Sequence, residues 1–161
     1  MKLFRELPIQ ERLKICATCQ SILAKHFPDS EYVITNHNKQ NGFEFYRKKI
    51  DSFNGCVFEC EDALIFFKRA DVSSPYNKDS EFLKVYSEGH NPLGNCLFVD
   101  FIAADITEKN YSKLYDFFFR TKGVEYVMAS RRGTIILDNV ANLKAKAEKI
   151  GAMKLIASLA P

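Results

Sequence analysis

The segment Cys96-Leu97-Phe98-Val99-Asp100-Phe101-Ile102-Ala103-Ala104 constrains this chain more than any other. Every position but one is apolar, at odd and even places alike, as in a strand buried on both faces. Such a strand needs hydrogen-bonding neighbours on both edges and a packed layer above and below it. Asp100 is the exception. An ionised carboxylate in apolar surroundings costs on the order of several kcal/mol unless compensated. Asp100 must therefore be paired, hydrogen-bonded, protonated or turned toward a cleft.

The flanking sequence supplies candidate neighbours. Residues 56–60 and 63–69 read as two strands joined by Glu61-Asp62, a connection short enough for a hairpin. Downstream, a helix is predicted over 111–121, with Leu114, Tyr115 and Phe118 on one face and Gly123 placed for its C-cap. A strand follows over 124–130, with a resumption at Thr134–Leu137 beyond Arg131-Arg132-Gly133. A helix over 140–150, capped by Asp138-Asn139 and stopped by Gly151, and a last strand over 153–159 close the chain. Upstream, Ile9, Leu13, Cys16, Leu23 and Phe27 recur at helical spacing, predicting a helix over 8–27 that begins at Pro8 and ends at Pro28. A shorter helix is predicted over 80–87. Within 29–54, turn signals at Asn41-Gly42 and Asn54-Gly55 bracket Phe43–Ile50, which fits a short helix or a strand. Strands alternating with helices after residue 95 argue for crossover connections and parallel pairing, while the hairpin makes the sheet mixed. The expected fold is α/β with a mixed sheet, in a single domain over residues 1–161.

A chain of 161 residues suits one hydrophobic core, and its 47% apolar and 27% charged residues oppose disorder. A net charge of +3 neither demands nor excludes a nucleic-acid partner. No apolar run approaches the ~20 residues needed to cross a bilayer, and Met1-Lys2-Leu3-Phe4-Arg5-Glu6 lacks a signal-peptide core. No membrane association is expected, and the cytoplasm is the expected compartment. Cys16, Cys19, Cys56, Cys60 and Cys96 lie in apolar segments. Cys16 and Cys19 fall inside a helical pattern, and Cys56 and Cys60 stand about 13 Å apart along a strand, too far to share an ion. They read as reduced, buried thiols, with no metal site expected.

Asp100 is the leading candidate for chemistry, as a base or as the partner that orients an imidazole. The structural alternative is an ion pair, with Arg131 or Lys68. His26, His37 and His90 are the available proton shuttles. His90 precedes the central strand closely, and His26 ends the first helix. Arg131-Arg132-Gly133, with Lys144, Lys146 and Lys149, forms a basic set suited to a phosphate, a carrier protein or nucleic acid, or else a solvated face. Phe117-Phe118-Phe119 and Tyr115 read as helix packing and not as a base-stacking platform.

The element order over 56–159 resembles the GCN5-related N-acetyltransferase fold. In that fold a central strand leads to a helix that receives the pyrophosphate of an acyl-coenzyme A, and the next strand splays away to admit the thioester. Asn142-Leu143-Lys144-Ala145-Lys146-Ala147-Glu148-Lys149-Ile150-Gly151-Ala152-Met153 looks like the closing segment of that family. The phosphate loop departs from it: Ala104-Asp105-Ile106-Thr107-Glu108-Lys109-Asn110 has no Gly and two carboxylates, which would repel phosphate. Leu97-Phe98-Val99-Asp100-Phe101-Ile102-Ala103 is similar to a strand of the toxin-activating lysine acyltransferases, a branch that lacks the Gly-rich loop and accepts acyl groups from acyl carrier protein. The resemblance implies a protein that transfers an acyl group from acyl-CoA or acyl carrier protein to a lysine or nucleobase amine. Asp100, His26 or His90, and Ser130 would serve the chemistry. Phe101, Ile102, Ala103, Lys109, Arg131, Arg132 and Asn142 would serve the donor, and a protein substrate or carrier protein would be the partner. Degenerate phage members of the fold supply the alternative, a non-catalytic interaction or virion protein.

Overall fold

The computed structural model describes residues 2–158. Five strands form one mixed sheet in the order β1 (Cys56–Cys60), β2 (Ala63–Ala70), β3 (Cys96–Ala104), β4 (Tyr126–Arg131) and β5 (Thr134–Asn139). All neighbours are antiparallel except β3 and β4, which helix α4 (Tyr111–Phe119) joins by a crossover. The strand read from Cys96 to Ala104 is therefore central, as its apolar sequence requires.

Both faces of the sheet are covered. On one face α4, α5 (Val140–Ile150) and α6 (Ala152–Ser158) bury Leu114, Phe118, Leu143 and Ile156 against Ile65, Leu97, Val99 and Val127. On the other, α1 (Ile9–His26), α2 (Lys39–Ser52) and a 3₁₀ turn, Phe4–Glu6, cover Leu64, Phe66, Phe101 and Ala103. Beside them α3 (Lys78–Ser87) lays Val85 over Cys96, Phe98 and Met128.

Several sequence expectations are corrected. The expected strand over 153–159 is helical from Ala152 to Ser158, and Leu159 lies outside the described residues. A short apolar run does not distinguish strand from helix. The edge of the sheet beside β4 is already taken by β5, so the chain after Gly151 (φ +89°) packs against α4 and α5 instead. The open segment Phe43–Ile50 belongs to α2. In α1 the buried stripe is Cys16, Cys19, Ile22 and Leu23, while Ile9, Leu13 and Phe27, expected inside, are exposed. On α4, Phe117 and Phe119 are buried together with Leu114 and Phe118. The β4–β5 hairpin turns on Arg132 and Gly133 (φ +49° and +79°), the pair of positive φ values a two-residue type I′ turn needs.

Two irregularities in β3 shape the molecule. Opposite β2, Phe66 pairs with Phe101 and Phe67 pairs with Val99, so Asp100 has no partner and forms a β-bulge. Opposite β4, the ladder runs only from Cys96–Tyr126 to Val99–Ala129 and then ends, although both strands continue. The bulge and the end of the parallel ladder fall at the same place.

Beyond β3 the chain is held by Asn110, which is fully buried. Its carboxamide oxygen accepts from the Thr107 N–H at 2.9 Å, and its nitrogen donates to the carbonyls of Glu61 (2.6 Å) and Asp105 (2.8 Å). It ties the loop before α4 to the β1–β2 turn. Replacing Asn110 by Ala removes the side-chain partner of three partly buried backbone groups and is expected to cost on the order of 3 kcal/mol. Urea denaturation checks this, and a loss below about 1 kcal/mol would mean that the loop is held by other contacts.

Candidate functional site

Asp100 sits in the β3 bulge, where consecutive side chains no longer alternate strictly between faces. It and Phe101 both meet residues of α2: Asp100 forms an ion pair with Lys49, and the Phe101 ring lies 4.8 Å from that of Phe45. The expected partners were Arg131 or Lys68, and neither takes this place. Lys68 is buried and donates to the carbonyls of Tyr86 (3.1 Å) and Glu88 (2.6 Å) at the end of α3, where a cation is favoured. Burial lowers the Lys68 pKa, opposed by Asp100 and Glu88.

Lys49 is the residue the sequence reading missed. Its ammonium lies 5.3, 5.0 and 5.3 Å from the ring centres of Phe45, Phe53 and Phe66. These are cation–π distances, so carboxylate and rings stabilise the charge together. The signal was present: Phe45, Lys49 and Phe53 are spaced by four. It becomes readable only once residues 39–52 are known to be a helix, because in a strand the same spacing carries no such message.

A cavity of about 930 Å³ opens where β3 and β4 part. Its walls bring together His26 from the end of α1, Lys49 from α2, Asp100, Phe101 and Ile102 from β3, and Ser130 and Arg132 from the β4–β5 hairpin. Asp29 and Glu31, in the loop after α1, add carboxylates to one wall. A second, smaller cavity of about 280 Å³ shares Phe45, Lys49 and Asp100 with the first and extends past Phe53, Lys68, Tyr86 and Phe98. The Lys49–Asp100 pair thus forms the wall between two cavities.

His26 is held by carboxylates other than Asp100. Its Nδ1 lies 3.3 Å from Asp105 and its Nε2 lies 3.9 Å from Asp62. Beyond that loose contact Nε2 is buried and has no hydrogen-bond partner among the described residues. A proton shuttle needs an uncommitted ring nitrogen, and His26 has one, but in this arrangement Nε2 is closed to the cavity. His90 does not join the site: its Nδ1 accepts the Arg69 N–H at 3.0 Å and its ring packs edge-on against Phe67. Burial, and then the Arg69 guanidinium, hold its pKa below the ordinary histidine value. His37 is exposed in the turn before α2.

The residues expected to hold a donor divide likewise. Phe101, Ile102 and Arg132 line the large cavity. Ala103 is buried among the residues of α1 and α2. Lys109 pairs with Glu61 at 3.5 Å, Arg131 donates to the Ser158 carbonyl at 3.0 Å, and Asn142 bonds Asp138 at 3.3 Å; none of these three borders the cavity. The basic set is dispersed too, with Lys146 on Asp138 and Lys144 in a groove between α4 and α5. In the loop before α4, the N–H groups of Asp105, Thr107, Asn110 and Tyr111 already donate within the protein. This leaves little of a nest for a pyrophosphate.

The cysteines are separate thiols. Burial raises the pKa of Cys16 to about 11 and those of Cys19 and Cys96 to about 12, so all three are protonated at neutral pH. Among the described residues, no group of three His, Cys, Asp or Glu side chains is placed to hold a metal ion. No helix among them is long and apolar enough to cross a membrane. No family model matches the chain, and no curated protein or solved structure matches it.

Lys49 and Asp100 are mostly buried and bonded to each other. A double-mutant cycle with Lys49→Met and Asp100→Asn is expected to show a coupling of about 1–3 kcal/mol in urea unfolding. Additivity within about 0.5 kcal/mol would show that the pair is not formed in solution. For His90, a depressed folded pKa means that the unfolded chain binds more protons below pH 6.5, the ordinary value. Its contribution to stability is therefore complete above that pH and is lost as the pH falls through the depressed value. The stability–pH curve of His90→Gln should be flatter over that interval, and an unchanged slope would assign the acid sensitivity to other groups.

Proposed function

We propose that this protein transfers an acyl group from a thioester to an amine. The observation that carries the reading is the convergence of His26, Asp100 and Ser130 on one cavity, although the sequence separates them widely. The reading is further supported by the place of that cavity, where the parallel ladder of β3 and β4 stops after Val99 and Ala129. A strand parting from its parallel neighbour is the device by which acyltransferases of the resembled fold admit a thioester.

In this reading His26, beside Asp105, takes the proton that the acceptor amine releases once its ring turns Nε2 from the buried position toward the cavity. Asp100 attracts the incoming ammonium, and backbone N–H groups of β3 beyond its last β4 partner stabilise the oxyanion of the tetrahedral intermediate. Ser130 stands across the cleft and hydrogen-bonds the acyl group or the departing thiol. The committed N–H groups and the carboxylates of residues 104–110 favour acyl carrier protein over free coenzyme A as donor. A carrier protein holds its phosphate arm itself and asks less of this loop.

A non-catalytic binding role is the second reading, and one observation favours it: Asp100 is already neutralised by Lys49. The two readings part on a transfer assay. The purified protein is incubated with a lysine-containing peptide and octanoyl thioesters of acyl carrier protein and of coenzyme A, and the peptide is followed by mass spectrometry. The expected result is acylated peptide, formed faster from the carrier-protein donor, with His26→Gln and Asp100→Asn each slowed on the order of 100-fold while remaining folded by circular dichroism. Peptide acylation no faster than in protein-free controls, from either donor, would leave the binding role.

A further inference from the structure

We propose that Lys49 is itself an acyl acceptor, so that the protein modifies itself at this one lysine when it meets an acyl thioester. The inference rests on the acyl-transfer reading and adds to it an internal substrate. Of the lysines, Lys49 alone borders both cavities, and its amine is held against the carboxylate that the same reading sets to attract an acceptor. The amine therefore stands at the carboxylate toward which an external acceptor would also be drawn.

The surroundings of the amine suit the product as well as the reactant. Phe45, Phe53 and Phe66 enclose it, and the rings of Phe98 and Tyr86 continue into the smaller cavity, which Ser52, Asn54 and Lys68 also line. An acyl chain carried on Lys49 would lie along these rings and remove its apolar surface from water. Other lysines lack one requirement or another. Lys48 is exposed and paired with Glu44 at 3.3 Å, and the Lys68 amine is committed to two carbonyls.

The step balances without another reactant. The ammonium of Lys49 gives one proton to Asp100, leaving amine and carboxylic acid. The amine attacks the thioester carbonyl; the C–N bond forms as the C–S bond breaks, and the second amine proton leaves with the thiolate as free thiol. The products are an amide on Lys49, a thiol and a neutral Asp100. An ion pair is thereby replaced by two uncharged groups, which lowers the cost of keeping both among aromatic rings.

The test measures the intact mass of the full chain after incubation with octanoyl-CoA and, separately, with octanoyl–acyl carrier protein, followed by peptide mapping. The expected result is a single octanoyl adduct on Lys49, absent from Lys49→Arg and formed on the order of 100-fold more slowly in Asp100→Asn. Lys49→Arg retains a cation for Asp100 and so guards against mere unfolding. Adducts spread over exposed lysines such as Lys48, at rates untouched by Asp100→Asn, would overturn the proposal. So would a chain without adduct in a reaction where the external peptide is acylated; that result would sink the internal acceptor and leave the transfer reading standing. No adduct and no acylated peptide would sink both.

Discussion

A carboxylate within the central strand of a sheet is tolerated here because three groups of neighbours act together on it. The β3 bulge takes Asp100 out of register with β2, α2 presents Lys49 to it, and three phenyl rings surround the ammonium. Neither charge would be stable alone at this depth, since an unpaired buried ion costs far more than a well-made pair recovers. The pair joins α2 to β3 together with the Phe45–Phe101 contact, and it stands between the two cavities that both elements line.

The same bulge bears on the other edge of β3. One extra residue bends a strand and increases its twist, and the parallel ladder to β4 ends beside it, after Val99 and Ala129. Each strand continues, so strand backbone bounds two sides of the gap, and the loop after α1 supplies another wall. A site that is to orient reacting groups is best carried on such regular elements. Asn110 extends the order outward by joining the β1–β2 turn to the loop before α4, and so holds Asp62 and Asp105 on either side of His26.

Much of the frame was legible because it is written in local pattern. The unbroken apolar run of β3 announced a doubly covered strand, Glu61-Asp62 announced the hairpin, and Asn139 before Val140 announced the cap of α5, whose side chain accepts the Ala141 N–H at 2.7 Å. The site was legible in part. Asp100 stood out because its type conflicts with its surroundings, and such conflicts collect at functional or strained positions. Lys49 did not stand out, because a lysine in a polar, turn-flanked segment conflicts with nothing nearby. His26 was noticed, but its carboxylate partners come from the β1–β2 turn and the loop after β3, which no local pattern associates with the end of α1. The last helix was misread for a related reason: Leu155 and Ile156 are adjacent, and whether adjacent apolar residues face one layer depends on what already fills the sheet edge.

The sequence by itself determined the order of most elements, the central place of β3 and the need to compensate Asp100. Each follows from the chemistry of residues close together in the chain. Only the tertiary structure decided which cation answers that carboxylate, which histidine reaches the cleft and where the sheet opens. Those outcomes depend on the free energy of pairing groups brought together from distant segments. A buried charge accepts any partner that chain geometry delivers, and delivery is a property of the whole fold.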